Sequence, residues 1–195
     1  MGKILESLQN TVIAGFVLVV VVIALMTKGF AGVDFDPAFF ARYIHVLAGV
    51  MWIGLLWYFN FVQIPTMPSI PDEQKPAIGK HIAPKALWWF RWGAMFTLLS
   101  GLWLASANGY IVDALTLAEG TRSIGLGMWM AIIMWFNVWF VIWPNQKIAL
   151  GIVEADADAK PAAARKAMLF SRTNTLLSIP MLYCMVSGQN GGAGW

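Results

Sequence analysis

Apolar residues fall in five long blocks separated by short polar segments. They predict an all-α integral membrane protein, a bundle of five transmembrane helices at about 11–27, 39–63, 86–106, 126–143 and 168–187. The second block, FFARYIHVLAGVMWIGLLWYFNFVQ (Phe39 to Gln63), is long enough to cross a ~30 Å hydrocarbon core with some tilt. It also carries Arg42, His45, Asn60 and Gln63. On a helical wheel with His45 at zero, Arg42 and Asn60 fall near about +60°, Gly49 near about +40° and Gln63 near about 0°. The residues least suited to lipid therefore share one stripe, which is expected to face protein, water or a cofactor.

The first block, Thr11 to Met26, follows Lys3 as a signal peptide would. No small-x-small cleavage site comes promptly after it and Lys28 closes it, so an uncleaved first span is expected. Pro65, Pro68 and Pro71 are expected to end the second helix, and with Pro76 and Pro84 to keep the following loop from forming a long helix. Within Ala107 to Gly125, YIVDALTLAE suits a short interfacial helix. The fourth block is expected to stop at Pro144-Asn145. Its Trp135, Trp139 and Trp143 recur every four residues, on the side opposite Asn137. That arrangement puts the tryptophans toward lipid and Asn137 into the bundle, where its amide can find a partner. The stretch EADADAKPAAARKAM reads as a solvated helix feeding the last span, with Pro161 in its first turn. Pro180 is expected to kink that span, with Ser178 helping to satisfy the freed carbonyls. Residues 1–187 read as one transmembrane domain and 188–195 as a flexible Gly-rich tail; no internal repeat stands out.

Composition sharpens the membrane reading. Of 195 residues, 59% are hydrophobic and 12% charged, against roughly 25% charged in ordinary globular domains. No basic cluster is interleaved with base-stacking aromatics, so no nucleic-acid partner is expected. The single cysteine, Cys184, excludes an intramolecular disulfide, a Cys-based zinc site, an iron–sulfur cluster and a covalent haem c within the chain. Lys75, Lys80, Lys85 and Arg91 flank the second connection, and Lys147, Lys160, Arg165, Lys166 and Arg172 flank the fourth. The opposite side has only Lys28, Arg42 and Arg122. The positive-inside rule puts the N-terminus in the cytoplasm and the C-terminus in the periplasm of a bacterial inner membrane.

Candidate chemistry is sparse. His45 lies roughly 9 Å deep in the second span, and an ionisable residue at such depth is a functional-site candidate by default. Gly49, one turn on, removes a side chain from the same face. The vacancy suits either haem b, with His45 as its metal ligand, or a closely packed neighbouring helix. Arg42 is then a partner for a haem propionate or for Asp34 or Asp36. His81 reads as a surface histidine, too far along the membrane normal to be a second axial ligand. Asn60, Gln63 and Asn137 read as polar helix-packing residues. No ionisable group lies in the middle third of a span, which disfavours ion or proton transport.

HVLAGVMWIGLLWYF (His45 to Phe59) and MWFNVWFVIWPNQK (Met134 to Lys147) resemble the membrane domain at the N-terminus of bacterial urate oxidases fused to a cytochrome c. The first motif also occurs in copper-resistance and haem-biosynthesis membrane families; the second is more specific. In that family the membrane part is implicated in urate oxidation and passes electrons to the attached cytochrome. The resemblance therefore implies His45, Trp52, Asn137 and Asn145 as positions to test. This chain stops after five spans and lacks C-x-x-C-H, so it is not expected to pass electrons to its own haem c. Two readings stand. One is an accessory or scaffold subunit of a larger respiratory or redox membrane complex, bound to other membrane subunits or to itself and not an enzyme on its own. The other is a haem b-binding or urate-oxidase-like oxidoreductase domain acting on a small molecule near the outer face.

Overall fold

The computed structural model describes residues 2–27, 29–30, 36–156 and 158–188. Lys28, Asp34 and residues 189–195 of the tail lie outside them, as does the side chain of Lys3. The chain divides into two compact units, Met1–Asp36 and Pro37–Trp195. No strand occurs among the described residues.

The first unit is built on α1 (Leu8–Met26). Ser7 caps it by accepting from the Asn10 N–H. It ends where Gly29 adopts a positive φ of 84° and returns its N–H to the Ala24 carbonyl at 2.8 Å; glycine tolerates that left-handed turn without steric cost.

The second unit contains α2 (Pro37–Ser69), α3 (Ala83–Ala107), α4 (Arg122–Ala149) and α5 (Ala159–Ser187). The short helix Ile111–Leu115 lies between α3 and α4. Among the described residues, α1, α2 and α4 are long and apolar enough to cross a membrane. α3 and α5 have the length, at 25 and 29 residues, but carry more polar side chains. Contacts run in opposite directions along neighbours: His45 meets Ser100 and Thr97, Phe59 meets Phe90, Ser123 meets Ser187 and Asn137 meets Asn174. α2 also packs on α5 through Trp57 and Ser178, and α3 on α4 through Trp92 and Trp139. The result is an up-down-up-down four-helix bundle. Its core is Trp52, Leu56, Phe59, Leu87, Phe90, Met134, Val138, Ile142 and Met181 with their neighbours.

Several boundaries differ from the sequence reading, for one physical reason. α2 continues past Pro65 and α4 past Pro144. Immediately before each proline lies a π-helical turn, Tyr58–Gln63 and Asn137–Ile142, in which Ile64 N–H bonds to Phe59 and Trp143 N–H to Val138. The wider turn relieves the clash of a proline ring with the carbonyl four residues back. The same device, Ile78–Ile82, precedes Pro84 and leads straight into α3, so much of the segment expected to be loop is helical. The extra residue in a π-turn also rotates the helix beyond it. Trp139 within the turn and Trp143 beyond it are partly buried against the core instead of facing outward, as is Trp135 just before the turn, which the rotation does not account for, while Ile133, Phe136 and Phe140 are exposed. Trp143 instead receives the Arg91 guanidinium, 3.4 Å from its ring centre.

The structure also brings out a repeat. Met51-Trp52 and, after six intervening residues, Phe59-Asn60 on α2 recur at the same spacing as Met128-Trp129 and Phe136-Asn137 on α4. Thr97-Leu98-Leu99-Ser100 on α3 recurs as Thr175-Leu176-Leu177-Ser178 on α5. Both asparagines sit in π-turns. The α2–α3 and α4–α5 hairpins are thus two tandem versions of one pattern.

Candidate functional site

α5 turns a narrow polar face into the bundle. Ser171, Asn174 and Ser178, spaced three and four residues apart, are buried on the same stripe as Ala163, Ala167 and Met181. Buried polar groups need partners, and these have them across the bundle. Asn137 Nδ2 donates to Asn174 Oδ1 at 2.8 Å, and Asn174 Nδ2 donates to the Met134 carbonyl at 2.9 Å. Asn60 Nδ2 donates to Ser171 Oγ at 2.8 Å and to its own helix at Leu56. Trp57 Nε1 donates to Ser178 Oγ at 3.0 Å. The seam joins α5 to both α2 and α4 with neutral groups alone.

Below Asn60, the seam opens into a cavity of about 160 Å³ at the end of the bundle where the α2–α3 and α4–α5 connections lie. Phe59, Leu87, Leu150 and Met168 give it apolar walls; Gln63 from α2, Gln146 from α4 and Ser171 from α5 give it polar ones. The side-chain oxygens of Gln63, Gln146 and Asn60 are buried and meet no donor.

His45 occupies the other half of the bundle. Its Nδ1 lies 2.9 Å from the Thr97 carbonyl. A carbonyl only accepts, so Nδ1 carries the proton and Nε2 the lone pair. Ser100 Oγ, which donates to the Phe96 carbonyl, stands 3.4 Å from the same nitrogen. The ring fills the space over Gly101, where a Cβ would come within 2.8 Å of Cε1. Beside it is a cavity of about 30 Å³, walled by Trp52, Leu98, Met128, Ile132 and Met185 among others, large enough for about one water.

The three residues grouped as a haem candidate sit differently from one another. Gly49 faces Thr97 Cγ2, 4.0 Å from where its Cβ would be, and does not line the cavity beside His45. Arg42 is exposed, near enough to Tyr110 for its charge to oppose the rise that burial imposes on that phenol's pKa. No cluster of three or more His, Cys, Asp or Glu able to hold a metal exists among the described residues. Asn145 donates to the Val141 carbonyl one turn back. Ser171, Asn174, Gln146 and Gly101 were not singled out from sequence. A wheel drawn for the last helix marks the first two, since Ser171, Asn174 and Ser178 repeat at helical spacing.

The glycine contacts give a paired expectation. Gly101→Ala pushes the His45 ring off the Thr97 carbonyl and lowers the thermal unfolding midpoint, since overpacking costs roughly 1–3 kcal/mol. Gly49→Ala meets only ordinary contact and, with alanine the better helix former by about 1 kcal/mol, holds or raises the midpoint. Thermal unfolding of the two purified variants side by side reads the difference.

These features define a class: an all-α bundle with apolar helices of membrane-crossing length and a neutral polar seam. The family model described as urate oxidase N-terminal matches residues 115–192, which take in all of α4 and α5. The likeness to the urate oxidase N-terminal domain therefore holds over the second hairpin. Asn137 and Asn145 lie inside the matched segment, His45 and Trp52 outside it. No curated protein and no solved structure matches the chain.

Proposed function

We propose that the chain is a multi-pass bacterial inner-membrane protein working as an accessory or scaffold subunit of a larger redox membrane assembly. In this reading α1–α5 all cross the bilayer, with the N-terminus cytoplasmic and the C-terminus periplasmic, following the basic residues beside the α2–α3 and α4–α5 connections. The observation that supports it is the outward surface of the bundle. Phe40, Val50, Phe61, Trp88, Trp89, Phe96, Phe136, Phe140, Leu176 and Tyr183 are all exposed, whereas the interior holds neutral amides and hydroxyls. Such a surface suits lipid and the faces of other apolar helices.

A second reading, a haem b or urate-oxidase-type redox site, is favoured by one observation: the Thr97 carbonyl fixes the His45 tautomer that leaves Nε2 available as a ligand. Against haem stands the small space beside the His45 ring; cofactor-sized pockets run roughly 300–1,000 Å³. One preparation separates the readings. Native protein extracted in mild detergent is expected to migrate as a defined complex on a native gel, with no Soret band assigned to this chain. A monomer without partners overturns the first reading. A Soret band that disappears in His45→Ala establishes the second.

A further inference from the structure

We propose that Arg91 and Lys147, set around the Trp143 indole, form a binding site for the phosphate of an anionic phospholipid. The site lies at the end of the bundle that carries the α2–α3 and α4–α5 connections. It rests on the membrane reading above and adds a specific lipid to it.

The Arg91 guanidinium of α3 lies 3.4 Å from the centre of the Trp143 ring of α4 and 5.8 Å from that of Trp139. Trp92 of α3 meets Trp139 edge-on at 5.7 Å and completes the aromatic platform. Lys147 Nζ, one turn beyond Trp143, is 5.8 Å from the same Trp143 centre, so the two cations are at most about 9 Å apart. Both residues are half-buried. Neither has a carboxylate within salt-bridge range among the described residues, where the ion pair at this end is Lys75 with Asp72. Two neighbouring cations withdrawn from water repel one another, and an anion between them reverses that.

The stacking also leaves the right donors free. A guanidinium this close to an indole face keeps its N–H bonds directed sideways. The Nε–H goes to the Leu87 carbonyl at 3.3 Å, while the fork of terminal N–H groups meets no acceptor among the described residues. Such a fork chelates a phosphate through two parallel hydrogen bonds, and a lysine ammonium adds a point charge. Trp88, Trp89 and Trp92, exposed on α3 beside Arg91, have the character of a headgroup-level belt. A phosphate held here therefore lays its acyl chains on apolar helix surface, which selects a lipid over a free phosphate. The lipid is anionic because an ethanolamine or choline group brings a third cation to a place where no carboxylate is paired with the first two.

The test uses the full chain in nonionic detergent, with the unfolding midpoint followed by tryptophan fluorescence and bound lipid counted by native mass spectrometry. Dioleoyl phosphatidylglycerol is expected to raise the midpoint saturably and to stay bound. Dioleoyl phosphatidylcholine is expected to bind about tenfold more weakly, and millimolar inorganic phosphate to do neither. Arg91→Lys keeps the charge and loses the fork, so the response to phosphatidylglycerol is expected to weaken by about tenfold, as for one lost charge-assisted hydrogen bond. Lys147→Gln is expected to weaken it likewise, and decides the matter should the Arg91 variant fail to fold. Lys85→Gln, exposed at the same end, is expected to leave it nearly unchanged, which a general attraction to basic residues does not predict. An equal response to both lipids, or one unchanged in Arg91→Lys and Lys147→Gln, overturns the proposal alone. Inorganic phosphate acting like the lipid also overturns it, in favour of a free phosphate ligand. Recovery of the chain in the soluble fraction without detergent overturns the membrane reading and this site with it.

Discussion

Trp52→Ala is expected to lower stability more than any other single truncation in the bundle, by about 3–5 kcal/mol. Trp52 is the largest of the fully buried side chains, at 1% exposure. Its backbone lies against Gly93 of α3, where a Cβ would come within 3.2 Å of the Trp52 nitrogen. Helix and helix are therefore in near-backbone contact, and neither can shift inward to refill the space an alanine leaves. On the membrane reading proposed above, transfer from water contributes little, because the unfolded helices stay in lipid; the cost comes from lost packing and the cavity. For a chain of this size about 2–4 °C of midpoint accompanies each kcal/mol, so a fall of roughly 10 °C is expected by thermal unfolding. Trp52→Phe is expected to cost far less. The indole Nε1 is buried without a hydrogen-bond partner, so removing it leaves no group unsatisfied and relieves one that is. A phenylalanine variant as unstable as the alanine one would show that the N–H has a partner.

How far the sequence foretold this structure depends on which force set each feature. Apolar block length and helical period give the existence and order of the long helices, because burial of side chains decides both. The helices run on through Pro65 and Pro144, because proline is a breaker only where the ladder is regular. A π-turn placed just before each one, at Asn60 and Asn137, carries the helix through, and no residue pattern announces such a turn in advance. The misplacement of Trp139 and Trp143 follows from the same turn, since a wheel drawn at a constant 100° per residue fails beyond an inserted residue.

The candidate site divides along similar lines. His45 was visible as a lone ionisable group in an apolar span. Its partner was not, because Thr97 contributes a backbone carbonyl and Gly101 contributes empty space. Asn60 was visible on the polar stripe of its span, but its counterpart Ser171 lay at the start of the last span, where small polar residues among apolar ones do not by themselves mark a buried face. Ser171 and Asn174 are buried there by the geometry of the bundle. Gln146 lay beyond a proline taken as the end of its helix, which hid its place in the cavity wall. The tandem hairpin pattern is easily missed because few positions are identical between the hairpins, chiefly the Met-Trp and Phe-Asn pairs and the two Thr-Leu-Leu-Ser runs.

The pair Asn137 and Asn174 is expected to behave as a unit whose two losses do not add. Asn174 is fully buried, at 0% exposure, and links α4 to α5 twice, accepting from Asn137 Nδ2 and donating to the Met134 carbonyl. Asn174→Leu leaves the Asn137 amide inside an apolar bundle with its Nδ2 unmet, at roughly 1–3 kcal/mol for the orphaned donor, besides the lost bonds. The expected total is about 2–3 kcal/mol, read as a midpoint lowered by roughly 4–12 °C. Asn137→Leu orphans Asn174 Oδ1 in turn and is expected to cost a similar amount. The double variant removes both ends together, so it is expected to be more stable than the two single losses added, by about 1–2 kcal/mol in a double-mutant cycle. That is near the upper end of couplings measured between helices in lipid, where roughly 0.6 kcal/mol is average and about 1.7 the largest. The π-turn beginning at Asn137 gives a reason for the high value. A regular helix could re-aim the amide by small adjustments of its turn, whereas an amide at the start of a widened turn has a less common backbone geometry to keep. Losses that simply add would show that each asparagine finds a new partner when the other is removed, and that the seam is adaptable instead of fixed.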